Sequence, residues 1–120
     1  MLIGMMLLLM TGSCYYDWVA VEEPAPVDPG QEVSFSASIL PIFSDHCAGC
    51  HKAGGVKPNL TAASAYSQIN TAKYINTGSP AQSLIYKAVA PGLSAPGHKT
   101  LTASQASLLL AWISQGAKNN

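Results

Sequence analysis

Cys47-Ala48-Gly49-Cys50-His51 constrains this chain more than any other stretch. Two thiols two residues apart, with a histidine directly after the second, form the pattern through which c-type haem is attached. Both sulfurs become thioethers to the haem vinyls, and the imidazole ligates iron. The spacing has a physical reason. One helical turn ending in a bend brings both sulfurs to one porphyrin edge, and the next residue turns its ring toward the metal from one face. Other chemistries also use paired cysteines. A thioredoxin-like redox pair would open a helix after a strand in an α/β setting, whereas here an apolar helical segment precedes the motif. A zinc site would need further ligands, and the sequence has no second cysteine pair. A disulfide-bearing interaction module is the third alternative, and haem attachment is the reading carried forward.

The rest of the chain agrees with an exported protein. Met1 to Met10 is an almost continuous apolar run broken by Gly4. At about ten residues it is far shorter than the roughly twenty that cross a bilayer, so it reads as the apolar region of an export signal, residues 1–13. Thr11-Gly12-Ser13-Cys14 follows and resembles the lipobox of bacterial lipoproteins, in which the signal is cut before a cysteine that is then acylated. Two positions depart from that pattern: Thr11 stands where leucine is usual, and no Lys or Arg precedes the apolar run. Cysteine accounting supports Cys14 as the lipidation site, because haem takes Cys47 and Cys50 and leaves Cys14 as the odd thiol. Residues 14–33 contain Pro24, Pro26, Pro29 and Gly30 among acidic residues, a composition that buries little apolar surface and is expected to form a solvated linker. Tyr15, Tyr16 and Trp18 would lie near the headgroup layer.

The folded domain is expected over 34–120. A core this small usually needs a staple, and covalently held haem would supply one. Phe35, Ile39, Ile42 and Phe43 recur at helical spacing, with Ser36 or Ser38 as N-cap and Pro41 in the first turn. This helix runs into the cysteine motif. A second short helix is predicted over 61–70, capped by Thr61, with Ala65, Tyr66 and Ile69 inward. A third starts near Ser79-Pro80 and buries Leu84, Ile85 and Ala88 or Val89. Pro91-Gly92 stops it, and 93–100 form a loop. The last helix is the clearest: Thr102 and Gln105 make a capping-box pattern, Leu108, Leu109, Trp112 and Ile113 give an apolar face, and Gly116 is a natural stop. His46 is expected on the surface or against a haem propionate.

Several stretches together resemble a known family: Ile39 to Phe43 with the cysteine motif and Pro58-Asn59-Leu60, Gly78-Ser79-Pro80 with Ser83 to Tyr86, and Trp112 to Asn120. They are similar to the small monohaem cytochrome c domains of exported bacterial proteins, including those of planctomycete and Bacteroidetes type. The resemblance implies an all-α fold of about four short helices around one covalently bound haem c, with the first and last helices crossing. It implies that the Pro58 carbonyl accepts the other ring proton of the proximal ligand His51, which would fix its tautomer and raise its basicity. It also implies a methionine on the loop before the last helix as the second axial ligand. All four methionines lie in residues 1–10, and the loop reads Ala95-Pro96-Gly97-His98-Lys99. His98 is the nearest substitute; Lys99, which would first have to lose a proton, and an open site are the other possibilities.

The function expected from this is electron transfer by a lipid-anchored cytochrome c, not an enzyme, on a bacterial membrane facing the periplasm or cell surface. An open-site haem protein, peroxidase-like or gas-sensing, is the alternative; no arginine exists in the chain to polarise a peroxide. Net charge is zero, but the six lysines all lie between Lys52 and Lys118, opposed in 34–120 only by Asp45. That excess would suit an acidic redox partner. Without arginine or a basic run interleaved with aromatics, nucleic acid is a poor partner.

Overall fold

Ser34 opens the first helical segment, ahead of the serines expected to cap it. Its Oγ accepts the Ala37 N–H at 3.2 Å. In the computed structural model, which describes residues 27, 28 and 30–120, a π-helical turn over Phe35–Ile39 continues directly into α1, Leu40–His46. Pro41 explains the wide turn. It has no N–H to give, and its ring crowds the carbonyl four residues back, so the preceding turn opens before the α-helix proper begins.

Three further α-helices follow: α2 over Ala65–Ile69, α3 over Leu84–Lys87 and α4 over Ala103–Ser114. No strand occurs among the described residues, and none of their helices is long and apolar enough to cross a membrane. The two middle helices are shorter than their sequence patterns suggest. Thr61 does not cap α2; its carbonyl instead accepts from Ser64 and Ala65 in a turn ahead of the helix. The segment after Ser79 is a 3₁₀ turn, Pro80–Gln82, that breaks at Ser83 before α3. Ser83 is the cause. Its buried hydroxyl accepts the Asn76 N–H at 2.9 Å, and that bond holds the backbone extended where a continuous helix would need it coiled. The break leaves Leu84 about half exposed, contrary to the expected buried position, while Ile85 and Val89 reach the core.

α4 carries the capping box its sequence announces. Thr102 Oγ1 accepts the Gln105 N–H at 3.2 Å, and Gln105 Oε1 accepts the Thr102 N–H at 3.1 Å. Ala106, Leu109, Trp112 and Ile113 form its buried face, and it packs on the π-helical turn before α1. Leu108 is only half-buried. At this junction Phe35 meets Trp112 with ring centres 5.3 Å apart, Tyr66 edge-on at 5.2 Å and Phe43 at 6.4 Å. Such clusters contribute area burial plus about 1 kcal/mol per well-placed aromatic pair.

Packing extends N-terminal of Ser34. Val33 is buried, and Gln115, directly after α4, brackets the incoming chain, accepting from Val33 N at 2.8 Å and donating to Gln31 O at 3.0 Å. The 1–13 export signal, Cys14 and the aromatics Tyr15, Tyr16 and Trp18 lie outside the described residues, as does most of the 14–33 linker.

Candidate haem-binding site

α1 ends by handing its last carbonyls to the cysteine motif. Phe43 O accepts both Cys47 N and Ala48 N, at 2.9 Å each, and Cys47 O then accepts His51 N at 2.9 Å and Cys50 N at 3.2 Å. The two cysteines thus lie on one tight turn, with His51 directly beyond it. Both thiols are free. They follow a helix in an all-α setting, not the strand-then-helix arrangement of a redox pair. No cluster of three or more His, Cys, Asp or Glu able to hold an ion occurs among the described residues, so the zinc alternative lacks a ligand set there.

The turn is held from outside by the loop that follows. Val56 N returns to Cys50 O at 3.1 Å, Gly55 N bonds Lys52 O, and Leu60 N bonds His51 O at 2.8 Å. Gly55 passes so close to Cys50 that a Cβ there would lie 2.4 Å from the Cys50 carbonyl oxygen, which no larger residue can satisfy without moving the motif. At the end of this loop Pro58, buried, brings its carbonyl 3.1 Å from His51 Nδ1. A carbonyl can only accept, so Nδ1 carries the proton and Nε2 keeps its lone pair for a metal.

His98 lies on the loop between α3 and α4. Its ring centre is 6.1 Å from that of His51, and the two planes differ by 29°. Among the described residues the His98 ring makes no hydrogen bond, and neither does His51 Nε2. The separation can be compared with a metal bridge. Two imidazoles at about 2.0 Å metal–nitrogen distance, each with about 1.1 Å from nitrogen to ring centre, put their centres about 6 Å apart. The donor set therefore fits one haem: two sulfurs on a single turn, an imidazole tied at its far nitrogen, and a second imidazole at metal-bridging distance.

Two residues that the sequence pattern does not single out belong to the same region. Val56 and Leu93 are 60 % and 56 % exposed and stand on the loops that bear His51 and His98. Large apolar side chains left in water beside the two histidines are of the kind an apolar macrocycle would cover. Their signal in sequence is an isolated branched residue among glycines, prolines and lysines. Lys99 acts on the motif from the His98 loop. Burial pushes the Cys47 thiol above its ordinary value, and the Lys99 charge pulls it partly back. Of the two places expected for His46, surface or haem propionate, the first does not hold: it is half-buried, its Nε2 is taken by Gln105, and its Nδ1 is covered.

Comparison with known proteins identifies one family. The model of the cytochrome c family matches residues 41–117. No curated protein and no solved structure matches the chain significantly.

Proposed function

The chain belongs to the cytochrome c family, and from that premise we propose that it is a membrane-anchored monohaem cytochrome c carrying single electrons between extracytoplasmic redox partners. As a family member it carries covalently attached haem c and serves electron transfer; such domains usually work outside the cytoplasm. In our reading Cys47 and Cys50 attach the haem, His51 is the proximal ligand, Pro58 orients it and His98 is the distal ligand. Bound there, haem supplies an iron that accepts and returns one electron.

The chain's own residues set the terms of that exchange. The bond from His51 Nδ1 to Pro58 O fixes the ring's tautomer and strengthens its nitrogen as a donor. A second imidazole favours ferric iron more than a thioether does, so His98 in place of methionine would lower the potential. If His51 and His98 both held the iron, no position would stay open on it for a substrate, which would favour a carrier over an enzyme. The exposed lysines Lys52, Lys57 and Lys99 stand on the two ligand loops and support docking to an acidic partner, an attraction that weakens with salt. Residues 1–13 as export signal, Cys14 as acylation site and the proline-rich, acidic linker after it would tether the domain to a bacterial membrane. Incorporation of labelled palmitate, lost in Cys14→Ser, tests that tether.

The observation that carries the redox reading is the 6.1 Å separation of the His51 and His98 rings. Its test is the optical and EPR spectrum of the ferric holoprotein matured by the c-type haem machinery. A low-spin bis-imidazole spectrum is expected, turning high-spin in His98→Ala. A high-spin wild type that the substitution leaves unchanged refutes His98 as ligand and favours an open-site protein.

A further inference from the structure

Gln105 belongs to two structures at once. In the α4 capping box its Oε1 accepts the Thr102 backbone N–H at 3.1 Å. On its other side its amide nitrogen lies 2.9 Å from His46 Nε2, on the last residue of α1. A backbone N–H can only donate, so the oxygen of the Gln105 amide must be the atom facing Thr102. The NH₂ is thereby turned toward His46, and Nε2 of that ring must accept. A neutral imidazole whose Nε2 accepts carries its proton on Nδ1. That nitrogen is buried and has no hydrogen-bond partner among the described residues.

The ring is thus held in one protonation form although its buried N–H gains no bond from it. What the arrangement provides is a joint. His46 directly precedes Cys47, and Thr102 closes the loop that carries His98, where Leu101 N also bonds Val89 O at 2.8 Å. Gln105 hydrogen-bonds to both.

We propose that His46 and Gln105 are positioning residues of the redox site: the capping box locks His46 as its neutral Nδ1–H tautomer, and through that bond the helix leading into Cys47 holds the downstream end of the His98 loop. The consequence for iron rests on the ligation by His98 proposed above; the tautomer and the joint do not.

The test uses the reduced holoprotein, with ¹⁵N-histidine NMR for the ring and amide hydrogen exchange for the loop. In the wild type the His46 proton is expected on Nδ1. Gln105→Glu keeps an oxygen for Thr102 N–H, but its carboxylate can only accept, so Nε2 should gain a proton while the joint survives. Protection of the Leu101 amide should stay within about twofold in Gln105→Glu and fall about tenfold in Gln105→Ala, the size of a lost cap interaction. Gln115→Ala, which cuts two bonds at the opposite end of the same helical region, should leave Leu101 within about twofold and serves as the control. A wild-type proton on Nε2 overturns the tautomer lock. Equal loss of protection in Gln105→Ala and Gln115→Ala, or no loss in Gln105→Ala, overturns the joint. The spin state of the same samples reads His98 ligation separately: a high-spin wild type with the expected tautomer and protection defeats the ligation and leaves the joint standing.

Discussion

The two segments that carry the facing imidazoles are built on different plans. From Cys47 to Leu60 the loop is bonded back onto the motif through Val56 N to Cys50 O and Leu60 N to His51 O, and the His51 ring is itself fixed through Nδ1 to Pro58. From Ala88 to Leu101 the backbone is secured and the ring is not. Ala95 N bonds Ala88 O, His98 N bonds Ala95 O, Leu101 N bonds Val89 O and the Ser94 and Thr100 hydroxyls meet at 2.7 Å, yet the exposed His98 ring has no hydrogen bond among the described residues. The His51 side thus orients its ring nitrogen in advance, whereas the His98 side brings a ring within 6.1 Å of it without a bond that fixes its orientation. Pre-orientation of this kind costs no ordering entropy at binding.

The sharpest way to break this asymmetry is to remove each ring in turn. His51→Ala should abolish accumulation of haem-loaded protein, measured as covalent haem per polypeptide, while His98→Ala should retain nearly full haem content and change only spin state. Equal loss in both would erase the distinction. Next in size is a pair of glycine substitutions. Gly55→Ala forces a Cβ against the Cys50 carbonyl and should destabilise the holoprotein by about 3 kcal/mol in denaturant unfolding followed through haem absorbance. Gly97→Ala on the distal loop meets no neighbour and only the strain of φ +84°, so about 1 kcal/mol is expected.

A smaller effect separates the two thiols before attachment. In apoprotein near neutral pH, Cys50, which is exposed, should be alkylated roughly tenfold faster than half-buried Cys47. Desolvation raises the Cys47 thiol above its ordinary 9.0, with Lys99 opposing. The folded apoprotein thus favours the protonated thiol, a contribution present below 9.0 and lost as pH rises through the raised value. Cys47 alkylation should accordingly climb later with pH than that of an unstructured cysteine, and an earlier climb would contradict the burial argument. The smallest change expected is from Ser94→Ala, which removes one exposed hydroxyl pair on the distal loop. About 0.5 kcal/mol, read as roughly twofold faster exchange of nearby amides, is the scale of such a bond.

How much of this is legible in the sequence depends on whether the decisive interaction is local. The α4 capping box lies within four residues, and the pattern Thr102 to Gln105 gives it directly. The all-α class and haem chemistry follow from the cysteine motif, helical periodicity and the family resemblance. The broken third helix does not, because Ser83 reads as an ordinary surface serine until Asn76 is brought beside it. Likewise the sequence favours Ser36 or Ser38 over Ser34 as N-cap, and the three are told apart only by distant contacts. Asn120 supplies them, its carbonyl oxygen accepting Ser36 N and both the Ser34 and Ser36 hydroxyls, and its Oδ1 accepting Phe35 N. His46 departs from expectation for the same reason: its partner Gln105 is distant in sequence, and its burial is a property of the helix junction. At the candidate site, the Cys47, Cys50 and His51 pattern is contiguous and needs no structure to be seen. The approach of His98 to His51 is tertiary, and no periodicity encodes it.

The close passage of Gly55 over Cys50 also bears on how much freedom a related sequence has here. Gly49, inside the motif, has nothing within 4 Å of the place a Cβ would take, so drift at that site is unopposed by sterics. Gly55, outside the motif, admits no such drift. The invariant unit that a set of homologues should display is therefore longer than the attachment pattern itself and has a gap inside it: two cysteines, a histidine and then Gly55 beyond it, with position 49 free to vary.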